Sequence, residues 1–336
     1  MNRAKQSTII SIILSVFVVV CMLLFIGKKR IFTALSNIQE NPAPIILFLG
    51  LFTIAFGLRA FRWKVIIPEA RFGILLRALY VAWFFNGITP ARLGDVARIY
   101  FLKTEESVEI GEGLASVVID RILDLICLLA IFPAYLYLTI EGEHLSAASQ
   151  FFLSATLIVT LSALLLVLLT AWKPGVITAF IERTVGNISE NLSKKIINLV
   201  WSANKGIRAF GENKQALTWA VLLSFPIWIF ESSSTFLVAQ AMGIEDVSFT
   251  LCLLAATFGF FAMTIPITPA GWGSFEVAIA AVLSLALPIE SALLIALVDH
   301  VIRQVYIALV GGIMLQTFSS NFSETLKEIQ RMRSDK

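Results

Sequence analysis

Two stretches of the chain, residues 8–26 and 151–172, each run through roughly twenty positions without a charged side chain. A hydrocarbon core of about 30 Å takes roughly 20 apolar residues in helical form, so each pattern predicts a membrane-crossing helix. The same reading gives full spans near 44–62, 114–140, 216–242 and 290–317. Two further apolar regions, 74–102 and 249–288, are broken by polar passages containing proline. These read "NGITPARLGD" at 86–95 and "IPITPAGWGS" at 265–274. Around the first break, 74–88 would make about 22 Å of helix and 90–102 about 20 Å. Neither spans alone, so the pair reads as a re-entrant hairpin or two short tilted helices. The second region is longer on both sides and reads as the same device or as two full crossings.

Between 173 and 215 the period changes. Ile177, Ile181, Val185, Ile188, Leu192, Ile196 and Leu199 recur every three or four residues, one stripe of a helix. Basic residues around the stripe suit a helix lying on an anionic inner leaflet, as a structural element or as a lipid sensor.

Composition agrees with a polytopic membrane protein. The chain is 58% hydrophobic and 15% charged, against about 45–50% and about 25% for soluble domains. Arg3 and Lys5 before 8–26 mimic a signal peptide, but Lys28-Lys29-Arg30 stand where a cleavage site would be, so this segment is expected to stay as a span. Cys21, Cys127 and Cys252 lie apart in apolar segments and read as small buried hydrophobes. No metal, nucleotide or nucleic-acid motif appears, and no cofactor is expected.

The net charge of +3 matters less than its distribution. Arg59, Arg62, Lys64, Arg71 and Arg77 crowd one segment, and Lys173, Arg183, Lys194, Lys195, Lys205, Arg208 and Lys214 another. Lys327, Arg331, Arg333 and Lys336 end the chain, whereas 141–150 and 243–248 hold no Lys or Arg. The positive-inside rule then places both termini in the cytoplasm. Lys28-Lys29-Arg30 contradict that topology, falling outside.

The two breaks share their wording. Shifted by 179 positions, Ile88, Thr89, Pro90, Ala91, Gly94 and Asp120 meet identical residues at 267, 268, 269, 270, 273 and 299. Under the charge-based topology the two units insert in opposite senses, the inverted-repeat plan of many secondary transporters; coincidence of two proline turns is the alternative. Thr-Pro also signals a helix start, with Thr as N-cap and Pro at the first position. A helix starting at membrane depth turns its free N–H groups toward an anion, and such a break must line protein or a wet cavity. An aqueous capping loop is the competing reading.

Charged residues inside apolar segments are functional candidates by default. Arg92, Asp95 and Arg98 share one side of the half-helix after Pro90; the two arginines either reach a headgroup or snorkel to the cytoplasmic surface. Arg121 can pair with Asp124, and Asp299 with Arg303, as structural or gating ion pairs. Glu231 lies mid-span, and Glu276 one turn after Gly273.

"FFNGITPARLGDVARIYFL", "ASVVIDRILDLICLL", "IPITPAGWGSFEVAIAAVL" and "LVDHVIRQVYIALVGG", in this order, resemble the lysylphosphatidylglycerol synthase transmembrane-region family over roughly 10–317. Its best known members are the N-terminal halves of multiple peptide resistance factors, which move aminoacylated phosphatidylglycerol between leaflets. The resemblance implies a flippase-like fold. Asp120-Arg121 stand where the family more often shows Glu-Arg, a change that keeps the charge. No aminoacyl-transferase domain is expected from 313–336, so the expectation is a transporter-like protein and not an enzyme.

The expected molecule is therefore an all-α polytopic protein with about six full transmembrane helices plus two broken or re-entrant pairs as an inverted repeat. It forms one integral domain, 1–336, with repeat cores near 74–140 and 249–317, a cytoplasmic amphipathic segment 173–215 and a cytoplasmic tail 318–336. Its expected function is to carry a phospholipid or lipid-linked anionic headgroup across the cytoplasmic membrane, as a monomer or oligomer. The alternatives are a non-transporting accessory protein binding an anionic lipid or glycosyl carrier, and an intramembrane transferase built on Asp95. Candidate substrate contacts are Asn86, Thr89, Pro90, Arg92, Asp95, Arg98, Glu231, Thr268, Pro269, Glu276 and Arg303, with Asp120, Arg121, Asp124 and Asp299 in gating ion pairs.

Overall fold

The computed structural model describes residues 3–89, 93–140, 173–186, 190–263 and 268–318, with five isolated positions between 154 and 165. Among the described residues all regular structure is helical. The elements are α1 (Arg3–Ile26), α2 (Lys28–Glu40), α3 (Ala43–Ile66), α4 (Phe72–Ile88), α5 (Leu93–Glu106) and α6 (Ile110–Ile140). They continue as α7 (Pro174–Thr184), α8 (Glu190–Glu212), α9 (Lys214–Ala241), α10 (Phe249–Met263), a 3₁₀ turn (Pro269–Gly271), α11 (Ser274–Leu283) and α12 (Ile289–Gln316).

Among the described residues α3, α9 and α12 are each long and apolar enough to cross a membrane, matching three of the predicted spans. The predicted span 151–172 lies outside the described residues apart from those isolated positions, as does the tail beyond residue 318. The two interrupted regions break as their sequences indicate. The 15 residues of α10 and the 10 of α11 extend about 22 Å and about 15 Å, so among the described residues the second break also lies between short helices.

Lys28-Lys29-Arg30 open α2, a short amphipathic helix that starts after Gly27 at φ 85°. Its Asn37 side-chain N–H donates to the Met242 carbonyl at 2.7 Å, which ties α2 to the end of α9. Cys127 and Cys252 are buried as expected, but Cys21 is exposed on α1.

Helix pairing follows one scheme twice. In the first half α3 packs on α4, α4 on α5 and α5 on α6; in the second α9 packs on α10, α10 on α11 and α11 on α12. The halves meet through α3 on α9, the most extensive pairing, and through α4 on α12 and α10 on α6. The core, rich in Phe48, Phe52, Phe56, Trp63, Phe85, Phe258 and Phe275, fills the space between these helices. The amphipathic helix α8 packs along α6, where Ile207 and Phe210 cover Ile119 and Leu123.

Small residues let the short helices lie close. A Cβ on Gly94 would stand 1.8 Å from the Ala82 carbonyl oxygen, so α5 approaches α4 backbone to backbone. Gly259 of α10 likewise has room only for hydrogen against Phe275 and Ile279 of α11. Close approach of this kind is how apolar helices gain packing energy in lipid.

Gly94→Ala is expected to cost about 1–3 kcal/mol or more through overpacking, whereas Gly57→Ala, with nothing within 4 Å, should stabilise by about 0.5–1 kcal/mol through helix propensity. Thermal unfolding of the two variants in detergent checks this; equal midpoints would contradict the contact.

Candidate functional site

Arg59 and Arg62 lie three residues apart on α3 and are buried to 2% and 0% exposure. A guanidinium so placed must be neutralised nearby, and both are. The Arg59 Nε–H donates to Glu231 Oε1 at 2.8 Å and its Nη1–H to Asp124 at 3.3 Å. The Arg62 Nη2–H group meets Asp120 at 2.6 Å and Asp124 at 2.7 Å, and its Nη1–H donates to Ser224 Oγ at 2.7 Å. Both read from sequence as part of a basic segment at the end of a span; α3 extends to Ile66 and carries both inside the bundle.

The network continues outward from these two. Arg98, 1% exposed, donates to Asp120 Oδ2 at 3.0 Å beneath the Trp63 ring, 4.0 Å away. It therefore does not snorkel. Arg121 donates to Asp95 at 3.0 Å and to Asp124 at 3.5 Å, and the Trp228 indole N–H adds a bond to Asp124 at 3.1 Å. Arg59, Arg62, Arg98 and Arg121 thus face Asp95, Asp120, Asp124 and Glu231, four formal charges of each sign. Cancellation is what allows them at this depth. Arg59 Nη2, Arg98 Nη2 and Glu231 Oε2 remain buried without a hydrogen bond.

A second polar group occupies α12. Arg303 donates from Nε to Asp299 at 2.9 Å, touches the Ser234 hydroxyl and the Glu231 carbonyl, and is walled by Phe48, Phe52 and Phe260. Ser234 and Thr235 donate to the other Asp299 oxygen at 3.1 Å and 2.8 Å. The expected pairs Arg121–Asp124 and Asp299–Arg303 therefore both form, and Glu231 joins the two groups.

The breaks themselves differ from the expected helix starts. Thr89 ends α4 in an extended conformation and its hydroxyl turns back to the Phe85 carbonyl, so it does not cap the next helix. Instead Asn86 reaches forward, accepting the Gly94 N–H at 2.9 Å. Thr268 precedes Pro269 at the first position of the 3₁₀ turn, but its hydroxyl donates to the Trp272 carbonyl at 2.7 Å. Ala270, Gly271 and Gly273 all take positive φ, and α11 begins only at Ser274. The N–H of Gly273 is taken by the chain's own Glu276 carboxylate at 2.7 Å. Reversal of the chain uses the residues that were expected to form free helix starts.

Both breaks open onto one cavity of about 200 Å³. Asn86, Gly87 and Thr89 line it from the first break, and Thr268, Ala270 and Gly271 from the second. Arg59, Arg121 and Asp124 form its charged wall, Trp83 and Trp228 its aromatic faces, and Gln304 projects from α12. The volume is below the roughly 300–1,000 Å³ of drug-sized sites, which suits a compact polar group and not acyl chains. Guanidinium donors, hydroxyls and a carboxamide beside indole rings suit an oxyanion or a polyhydroxylated group.

Of the predicted contacts, Asn86, Thr89 and Thr268 line this cavity together with Arg121 and Asp124. Asp95, Arg98, Asp120, Glu231, Asp299 and Arg303 stand behind it in the ion pairs, and Pro269 is buried in the turn. Glu276 holds His300, with its Oε1 2.6 Å from His300 Nδ1. Pro90 and Arg92 lie outside the described residues. Sequence reasoning missed Arg59, Arg62, Trp83, Trp228 and Gln304. The signal for the first two was their spacing of three at the end of a predicted span.

Arg303→Met and Asp299→Leu should each destabilise by about 3–5 kcal/mol, because each strands a buried charge. Together they should cost less than the sum, by about 0.5–3 kcal/mol. Additive losses in unfolding midpoints would contradict a coupled pair.

A family described as the lysylphosphatidylglycerol synthase TM region matches residues 8–311. Glycosyltransferase AglD of Haloferax volcanii is 21% identical over 342 residues, covering 92% of this chain and 54% of that protein; the chain spans about half of AglD's length. A UPF0104 membrane protein of Methanothermobacter thermautotrophicus is 25% identical, covering 81% of this chain and 83% of that protein. Another, of Methanocaldococcus jannaschii, is 25% identical over 93% of this chain and 95% of its own.

Proposed function

Because the chain belongs to the lysylphosphatidylglycerol synthase transmembrane-region family, we propose that it is a flippase-like protein moving a phospholipid or lipid-linked anionic headgroup between leaflets. One observation carries the reading: two distant, similarly worded breaks line a single cavity with arginines in its wall. Broken helices meeting around a site are the plan of inverted-repeat transporters, and the doubled pairing scheme of 43–140 and 214–316 supports that plan here. The protein then resides in the cell membrane with both termini cytoplasmic.

The phosphate-bearing headgroup enters from the inner leaflet past Arg92 and meets Arg59 and Arg121, while Asn86, Thr89 and Thr268 supply neutral hydrogen bonds. Asp95 and Glu231 stay behind the wall, paired with Arg121 and Arg59. An anion arriving in a wall of cancelled charges competes with Asp124 for the same guanidinium groups. Binding therefore loosens the Arg59–Asp124 and Arg121–Asp124 contacts. Asp120, Arg98, Asp299 and Arg303 keep each half intact as the halves move.

The second reading is a non-transporting accessory protein that holds a lipid-linked glycosyl carrier. The similarity to a protein named as a glycosyltransferase favours it, as do the indole faces of Trp83 and Trp228 in the cavity.

Reconstitution into vesicles with headgroup-labelled phospholipids and lipid-linked sugars tests the proposal through leaflet exchange. Arg59→Lys and Thr268→Val should slow exchange about tenfold, the equivalent of about 1.4 kcal/mol, with Gly57→Ala unaffected. Exchange unchanged in folded Arg59→Lys would contradict the proposal, and lipid bound without exchange would establish the accessory reading.

A further inference from the structure

Behind the cavity wall His300 and Glu276 form a buried pair, and among the described residues no other charged group bonds to it. Both are 0% exposed, and His300 Nδ1 lies 2.6 Å from Glu276 Oε1. The imidazole is stacked on Trp272 at 4.1 Å and tilted against Phe275 at 4.6 Å. Glu276 spends its second oxygen on the Gly273 N–H. The remaining imidazole nitrogen, Nε2, is 3.1 Å from Gln304 Nε2, and Gln304 lines the cavity.

This geometry fixes a hydrogen-bond order. With Nδ1–H donating to the Glu276 carboxylate, Nε2 of a neutral imidazole accepts from the Gln304 amide. The pair then carries one net negative charge in an apolar surrounding, offset only by the N-terminus of α11. A proton added at Nε2 makes the pair neutral overall and converts Nε2 into a donor. Gln304 must then turn its carboxamide to present oxygen. That oxygen now sits beside Gly87, where a Cβ would lie only 3.0 Å from it, so the turn of the amide is felt at the first break.

The surroundings leave few other charges to consider. α12 packs on α4, α11, α9 and α1 and meets α3 through Phe52 and Thr53 against Tyr306; the charged residues of these helices are Arg77 on α4, Glu276 on α11, Lys214 and Glu231 on α9, Arg3 and Lys5 on α1, and Arg59, Arg62 and Lys64 on α3. Arg77 is bonded to Thr317 at the far end of α12, and Glu231 to Arg59. On α12 itself Asp299 and Arg303 neutralise each other, and Glu290 lies in its first turn. Of all these only Glu276 touches His300.

We propose that Glu276–His300 is a proton-binding site opening onto the cavity through Gln304, so that proton occupancy and the charge held in the cavity are linked. The proton comes from cavity water and goes to His300 Nε2; no other bond is made or broken. The inference rests on the translocation reading only for its meaning as energy coupling: an anion in the cavity would travel with a proton.

The chain has two histidines, so His144→Gln leaves His300 as a single reporter for histidine-labelled nuclear magnetic resonance in nanodiscs. The expected result is an Nδ1–H tautomer at alkaline pH that gains a proton at Nε2 on acidification. With Cys21, Cys127 and Cys252 replaced, Thr268→Cys accepts a methanethiosulfonate bearing either a sulfonate or a trimethylammonium group. The sulfonate adduct should raise the titration midpoint relative to the cationic adduct by on the order of half a pH unit or more. Gln304→Leu should weaken that response while leaving the fold intact. A His300 resonance in one charge state throughout, or equal midpoints for both adducts, would overturn the site. Neither readout uses a lipid substrate, so failure of leaflet exchange and failure of the proton site are separately visible.

Discussion

Charge cancellation inside an apolar bundle is the constraint on which the molecule depends. Arg59 and Arg62 project from one side of α3 into a space without bulk water, and neither can remain there alone. Their partners come from α6 and α9, two helices from different halves of the chain. The ion network therefore does more than neutralise: it fixes the rotation of α3 and pins α6 and α9 to it. Such pairs add little net stability over an apolar core, but they are strongly specific, since a slipped helix would strand a charge.

The breaks are the second half of the design. A helix interrupted at membrane depth exposes backbone groups that lipid cannot satisfy. Here the chain satisfies several of them itself, through Asn86 at the first break and Glu276 at the second. What is left over is a small cavity, largely apolar in lining, with Arg59 and Arg121 in its wall. Its guanidinium donors are held in place by the ion network.

Much of the fold was legible in the sequence. Long, mostly apolar runs announced α3, α9 and α12, and the I-T-P-A passages marked both breaks, because proline and polar residues in a greasy segment have few other uses. The pairs Arg121–Asp124 and Asp299–Arg303 were legible from helical spacing. Arg59 and Arg62 were misread because a cation near a span end looks the same whether it faces headgroups or partners, and the partners were 58 to 172 residues away. Helix α2 was missed because three leading cations masked its amphipathic period. The Thr-Pro signal, read as a helix start with Thr as the cap, named the wrong residue: at the second break Gly273 and Glu276 took that role through positive φ and a side chain three residues on.

The most direct test is a cross-link between the two breaks. In a protein with Cys21, Cys127 and Cys252 replaced, Thr89→Cys and Thr268→Cys are treated in native membranes with a short bifunctional thiosulfonate. If both breaks face one interior cavity, the pair joins within a single chain in high yield. Two cysteines that never join, yet each react with bulky impermeant reagents from opposite sides of the membrane, would place the breaks in separate aqueous loops and contradict the account.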